Sequence, residues 1–140
     1  DMSVRVLLVL IASLSCSSAL ALDWRLVDNS HSVKVYIDQD SIKKYEENVR
    51  RYGENDLEQS AVSVWIMYDQ LAEANYRSFK AQVLIDCNLN RISYLYTVMY
   101  SGLAGEGDVV KTNSTPSKLI PIVPGSRDSV VFESTCNKKL

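Results

Sequence analysis

The stretch YRSFKAQVLIDC, residues 76–87, decides the fold of this chain, because it is the longest strand-like segment in the sequence. Two sets of residues alternate along it. The apolar set is Phe79, Ala81, Val83, Ile85 and Cys87, and the polar set is Ser78, Lys80, Gln82 and Asp86. This alternation predicts a strand with one face in the core and Cys87 on that face.

A second strand follows directly. Asn88-Leu89-Asn90 is a tight connection, and residues 91–100 read RISYLYTVMY. Two strand-like runs joined by so short a turn predict an antiparallel hairpin. In this phase the tyrosines of the second strand share a face with Ile92 and Val98, which predicts core positions for Tyr94, Tyr96 and Tyr100.

Four shorter segments complete the predicted sheet. They are WRLVD at 24–28, VKVYID at 33–38, AVSVWIMY at 61–68 and a short strand at 109–112. Near the end of the chain, Pro124-Gly125-Ser126 predicts a helix start, with Ser126 as the capping residue and Asp128 complementing the helix dipole. Val130-Val131-Phe132 also suits a strand, and the local pattern leaves that alternative open.

The stretch between the second and third strands is rich in charge. Asp40 is placed to cap a short helix over residues 41–45, and Lys, Arg, Glu and Asn crowd together around Gly53. We interpret residues 43–60 as a solvated loop, with a charged recognition loop as the alternative.

The first 21 residues predict an export signal. Arg5 precedes an apolar run at 6–14, and Ala19-Leu20-Ala21 forms an A-x-A cleavage site. The run is shorter than the about 20 apolar residues that a membrane span needs. The mature domain is therefore expected to be 22–140, in the periplasm, secreted or at the cell surface. A lipid anchor on Cys16 is the alternative.

Removal of the signal leaves two cysteines, Cys87 and Cys136, in an oxidising compartment, where thiols form disulfides. We predict that they are bonded to each other. The alternatives are free thiols or a metal site, but His31 is the only other soft ligand. Two distant cysteines and one histidine make a poor zinc set, and we expect neither a metal nor a cofactor.

Composition narrows the class of function. The net charge of −2 argues against nucleic-acid binding, which favours a strongly basic protein. A serine hydrolase needs a histidine base, and His31 lies in a turn cluster. Asp38 with Asp40 forms a carboxylate pair in a polar context and is expected to be solvated. We therefore predict that the protein is not an enzyme.

Two aromatic residues stand out as binding candidates. With the aliphatic residues of their strands turned inward, Tyr36 and Trp65 fall on the opposite faces. Exposed aromatic residues on a sheet face are typical of a contact surface. The alternative is that a loop or a terminal element covers them.

An ordered series of short motifs resembles the bacterial surface-adhesin protein E family, and it covers nearly all of the mature chain. The series is Trp24, Val35-Tyr36-Ile37-Asp38, Ser41-Ile42, Val64-Trp65, Tyr68-Asp69, Ile85-Asp86-Cys87, Tyr100-Ser101-Gly102, Pro124-Gly125-Ser126 and Cys136. The resemblance implies an exported domain with an antiparallel sheet and a C-terminal helix packed on it. It also implies contacts with host matrix or plasma proteins.

Taken together, these observations predict an α+β protein with a small antiparallel β-sheet of about six strands, a C-terminal helix packed on it and one disulfide. The function that we expect is an exported, non-enzymatic binding module for a protein ligand. A periplasmic structural or envelope-associated protein is the alternative. An uncovered sheet edge would favour a homodimer.

Overall fold

The computed structural model describes residues 23–29, 33–44, 61–70, 75–137 and 140. These residues form eight strands and one α-helix. The strands are β1 (Trp24–Asp28), β2 (Val33–Asp38), β3 (Lys43–Lys44), β4 (Ala61–Gln70), β5 (Ser78–Asp86), β6 (Arg91–Tyr100), β7 (Val109–Asn113) and β8 (Ile120–Pro121), and the helix is α1 (Arg127–Cys136).

The strands form a single antiparallel sheet in the order β1-β2-β4-β5-β6-β7, with β3 paired to β4 and β8 paired to β6. This arrangement confirms the predicted α+β fold and its six main strands. The two additional strands have two residues each.

The main core lies between one face of the sheet, called here the inner face, and helix α1. The apolar set predicted for β5 faces this core, together with Val131 and Phe132 of the helix. Val131 and Phe132 are completely buried. The aliphatic residues that alternate along β2 and β4 belong to the same cluster, as period-2 alternation requires.

A β-bulge in β6 makes part of the tyrosine prediction wrong. Val83 pairs with Tyr94 but Gln82 pairs with Tyr96, so that Leu95 has no opposite residue on β5. An extra residue in one strand reverses the facing of every residue beyond it. Tyr94 therefore joins the core as predicted, whereas Tyr96 and Tyr100 lie on the opposite, outer face.

The bulged residue, Leu95, belongs to a second, smaller apolar cluster. Leu95 packs against Ala61 and Leu84, and Leu119 packs on the same group. This cluster explains why Leu84 is completely buried although its neighbours in the sequence face the main core.

The turn between β5 and β6 is built on a buried carboxylate. Asp86 Oδ1 accepts hydrogen bonds from the backbone N–H groups of Asn88 and Leu89, each at 3.0 Å. Its Oδ2 accepts one from Arg91 Nη2 at 2.9 Å. The turn closes with Asn90 at a φ of 52°, a conformation that asparagine tolerates well. The hairpin is thus confirmed, and Asp86 is buried.

The region after β2 differs from the prediction of a short helix capped by Asp40. Residues Gln39–Ser41 form a single 3₁₀ turn, and its cap is Asp38, whose Oδ1 accepts from the N–H of Asp40 at 3.2 Å. Asp38 is 3% exposed, so the expectation of a solvated Asp38–Asp40 pair is wrong for Asp38. The chain then enters β3 instead of continuing as a helix, because the backbone of β4 is available for pairing.

Helix α1 begins as predicted. Ser126 Oγ accepts from the N–H of Ser129 at 3.3 Å, and residues 130–132 are helical, which excludes the strand alternative. The disulfide between Cys87 and Cys136 is present and joins the last turn of the helix to the end of β5.

Several predictions concern residues outside the described ranges. They are the signal at 1–21, Cys16, His31 and most of the charged stretch, residues 45–60.

Candidate functional site

The outer face of the sheet carries five aromatic residues, which we call the aromatic surface. They come from four strands and all are half-buried: Trp24, Tyr36, Trp65, Tyr96 and Tyr100. Cross-strand pairing places them on one face, because opposite residues of antiparallel strands point the same way. The structure therefore brings Tyr36 and Trp65, the two candidates from the sequence, onto adjacent strands of one surface.

Trp65 is held at this surface by two contacts. Its backbone N–H donates to Ser41 Oγ at 2.8 Å, because the pairing of β4 passes from β2 to β3 at this position. Its ring meets the Tyr96 ring edge-on, with centroids 6.2 Å apart. Such a geometry is favourable for aromatic pairs and fixes the orientation of the indole.

Lys80 lies between two further aromatic residues of this surface, Trp24 and Tyr100. Its Nζ lies 5.8 Å from the ring centroid of Trp24 and 5.5 Å from that of Tyr100, within the range of cation–π attraction. The aromatic surface therefore contains a positive charge between two rings.

The loop between β6 and β7 closes one end of this face. Asp69 Oδ1 accepts from the N–H of Ala104 at 2.8 Å, and Ser78 Oγ accepts from the N–H of Gly105 at 2.9 Å. Ser78 also donates to the carbonyl of Gly102. These bonds satisfy the buried polar side chains of Asp69 and Ser78 and dock the loop on the sheet.

The inner face contains a different cluster of polar groups. The hydroxyls of Tyr68 and Tyr94 both donate to Oδ1 of Asp128, which lies in the first turn of α1. The two hydroxyl oxygens are 3.5 Å apart. Burial, followed by the neighbouring Tyr68 phenol and the negative charge of Asp128, raises the pKa of Tyr94 far above its usual range. Burial likewise raises the pKa of Tyr68, so both remain neutral hydrogen-bond donors.

These residues line a cleft of about 190 Å³ between the sheet and the start of α1. Its lining is Tyr68, Phe79, Tyr94, Ser126, Arg127 and Asp128. The Arg127 guanidinium lies 5.1 Å from the centroid of the Tyr68 ring, and the Tyr68 ring meets that of Phe79 edge-on at 4.5 Å.

The described ranges contain neither a metal-ligand cluster nor a membrane-spanning helix. No group of three His, Cys, Asp or Glu residues there is arranged to hold a metal ion. Within the same ranges, no helix has the length and apolar character needed to cross a membrane.

Sequence reasoning found part of both sites. Alternation alone predicted that Tyr36 and Trp65 face outward. It placed Tyr96 and Tyr100 in the core, because the bulge in β6 cannot be recognised from the sequence pattern. Asp128 was recognised only as a favourable residue at a helix start. Its hydrogen bonds to Tyr68 and Tyr94 connect residues 60 and 34 positions away, and no local pattern contains that information.

Comparison with known proteins agrees with this architecture. The sequence matches the family described as Surface-adhesin protein E over residues 24–137. No curated protein sequence matches the chain.

Solved structures show a similar fold. Crystal form II of Haemophilus influenzae protein E is 17% identical, with a TM-score of 0.55, over 81% of this chain and 87% of that one. Another structure of Haemophilus influenzae protein E is also 17% identical, with a TM-score of 0.51, over 81% and 83%. At this level of identity the likeness establishes the shared fold.

An antiparallel sheet with one disulfide-linked helix on its inner face and aromatic residues on its outer face defines a small α+β domain. The chain belongs to the surface-adhesin protein E family.

Proposed function

We propose that this protein is an exported, non-enzymatic binding module that contacts a host matrix or plasma protein through the aromatic surface. The observation that carries the proposal is the set of half-exposed aromatic rings on the face opposite α1. Tyrosine and tryptophan are enriched at protein interfaces, since each provides a large contact area and a polar group. Membership of an adhesin family supports the same conclusion.

A positively charged residue, Lys43, lies close to Trp65 on the same face of the sheet. Lys43 is exposed and pairs with Ser63, two residues before Trp65 on the same face. The beginning of the charged stretch 43–60 therefore adjoins the aromatic surface, and we propose that this stretch contributes to the contact.

Binding to an immobilised basement-membrane extract and to immobilised plasma proteins tests the proposal. We expect saturable binding and a loss of about 30-fold in affinity for Trp65→Ala, because a central tryptophan is typically worth 2 kcal/mol or more. Tyr36→Ala should weaken binding in the same direction.

Two controls make the outcome interpretable. Leu89→Ala removes an exposed apolar side chain (55% exposed) in the β5–β6 turn, outside the aromatic surface, and should bind normally. Trp65→Phe keeps an aromatic ring and should retain the fold and part of the affinity. Absence of saturable binding, or equal binding by the Leu89 and Trp65 alanine variants, would refute the proposal.

Export is part of the proposal, with cleavage after Ala21. Cell fractionation distinguishes an adhesin, which must reach the surface, from the alternative of a periplasmic envelope-associated protein. A homodimer formed through an uncovered sheet edge remains a prediction, and analytical ultracentrifugation tests it.

A further inference from the structure

The cleft beside α1 lies on the inner face and is not used by the proposed function. Its polar side chains are those of Asp128, Arg127 and Ser126, together with the hydroxyls of Tyr68 and Tyr94. Asp128 Oδ1 already receives both tyrosine hydroxyls, and Oδ2 makes no hydrogen bond or ion pair with any residue in the described ranges. A carboxylate oxygen at the edge of a cleft, without a partner among the described residues, favours a ligand with N–H donors.

The walls of the cleft favour the same ligand. Tyr68, Tyr94 and Phe79 present aromatic rings to the space, and the face of an aromatic ring attracts cations. The protein itself demonstrates this preference, because the Arg127 guanidinium lies over the Tyr68 ring. Arg127 is exposed, and among the described residues its guanidinium contacts only the Tyr68 ring. The Arg127 side chain can therefore move aside.

The size of the cleft restricts the ligand further. A volume of about 190 Å³ is below the roughly 300–1,000 Å³ of pockets for drug-sized molecules. It accommodates one long side chain rather than a whole cofactor.

We propose that this cleft anchors one basic side chain, arginine or lysine, of a protein partner. The cation would pair with Asp128 Oδ2 and stack against the aromatic walls, while Arg127 competes for the same position. This contact is separate from the aromatic surface, because it lies on the other side of the sheet.

The test is an NMR titration of the ¹⁵N-labelled protein with Nα-acetyl-arginine amide. Nα-acetyl-citrulline amide, which has nearly the same shape without the charge, is the matched probe. We expect weak binding, on the order of 1–10 mM, with shift changes at Ser126, Arg127 and Asp128. Citrulline should bind about tenfold more weakly.

Two substitutions give opposite expected effects. Asp128→Asn keeps an oxygen for the tyrosine hydroxyls but removes the charge, and should weaken arginine binding about tenfold. Arg127→Gln removes the competing cation and should strengthen binding about threefold. Glu133→Gln removes an exposed charge from a later turn of α1 and should change nothing.

Equal binding of the arginine and citrulline probes would overturn the proposal, as would equal affinities of the Asp128→Asn and Glu133→Gln variants. If Asp128→Asn does not fold, the two probes and Arg127→Gln still decide the question. Trp65→Ala should leave this binding unchanged, which separates the outcome from that of the proposed function.

Discussion

At the scale of single residues, two carboxylates, one buried (Asp86) and one half-buried (Asp128), each hold several hydrogen-bond donors together. Asp86 satisfies two backbone N–H groups and one guanidinium at the β5–β6 turn. Asp128 joins the start of α1 to tyrosines of β4 and β6. At Asp86 the negative charge is compensated by several donors, which is the condition for burying a charge without a large loss of stability.

Because Tyr68 and Tyr94 are buried beside Asp128, we expect the protein to lose stability at alkaline pH. Their pKa values are raised in the folded state, so the unfolded chain loses its phenol protons first, from about pH 10. The free energy of unfolding should therefore fall above about pH 10, by up to about 1.4 kcal/mol per pH unit for each tyrosine. Below that pH the contribution is fully present.

Urea denaturation as a function of pH measures this effect. Tyr68→Phe should have a shallower alkaline decline than the unmodified protein, because one titrating group is removed. Tyr36→Phe removes a hydroxyl from the outer face and controls for the loss of a phenol. Identical declines for Tyr68→Phe and the unmodified protein would contradict the prediction.

At the scale of secondary-structure elements, the bulge in β6 decides which side chains form the aromatic surface. Before the bulge Tyr94 faces α1, and after it Tyr96 and Tyr100 face outward. The β6–β7 loop then covers one end of that surface through Gly105, which has a φ of 71° and lies against the end of the Lys80 side chain.

Gly105→Ala should displace Lys80 from its position between Trp24 and Tyr100. The added Cβ would collide with Lys80 Cε, and a lysine end can move. The left-handed backbone conformation adds about 1–2 kcal/mol of destabilisation. Tryptophan fluorescence reports the displacement, and urea denaturation measures the cost.

Gly125→Ala is the matched control for this change. Gly125 has a similar φ of 77°, but a Cβ there would meet no atom within 4 Å. The two variants should lose similar stability, and only Gly105→Ala should change the fluorescence. A fluorescence change of equal size in both would show that Lys80 is not responsible.

At the scale of the whole molecule, one helix covers one face of a sheet, and one disulfide fastens it. The bond closes a loop with a sequence separation of 49 residues. A loop of this length corresponds to about 4 kcal/mol of chain entropy in the unfolded state, a large share of the roughly 5–15 kcal/mol typical of a domain.

The double variant Cys87→Ala/Cys136→Ala should therefore unfold with a free energy lower by about 4 kcal/mol. Hydrogen exchange should show that α1 loses protection before β4, β5 and β6, since the helix is joined to the sheet by the bond. The reduced unmodified protein should behave in the same way. Equal loss of protection in α1 and the central strands would contradict this order.

The sequence by itself determined the six main strands, the helix start at Ser126, the pairing of Cys87 with Cys136 and the outward placement of Tyr36 and Trp65. These features depend on period-2 alternation, capping chemistry and cysteine count, which are local or compositional. Only the tertiary structure decided the facing of Tyr96 and Tyr100, the hydrogen bonds of Asp128 and the position of Lys80. A bulge and a contact between distant segments depend on which strand lies opposite, and that information arises only when the sheet is assembled.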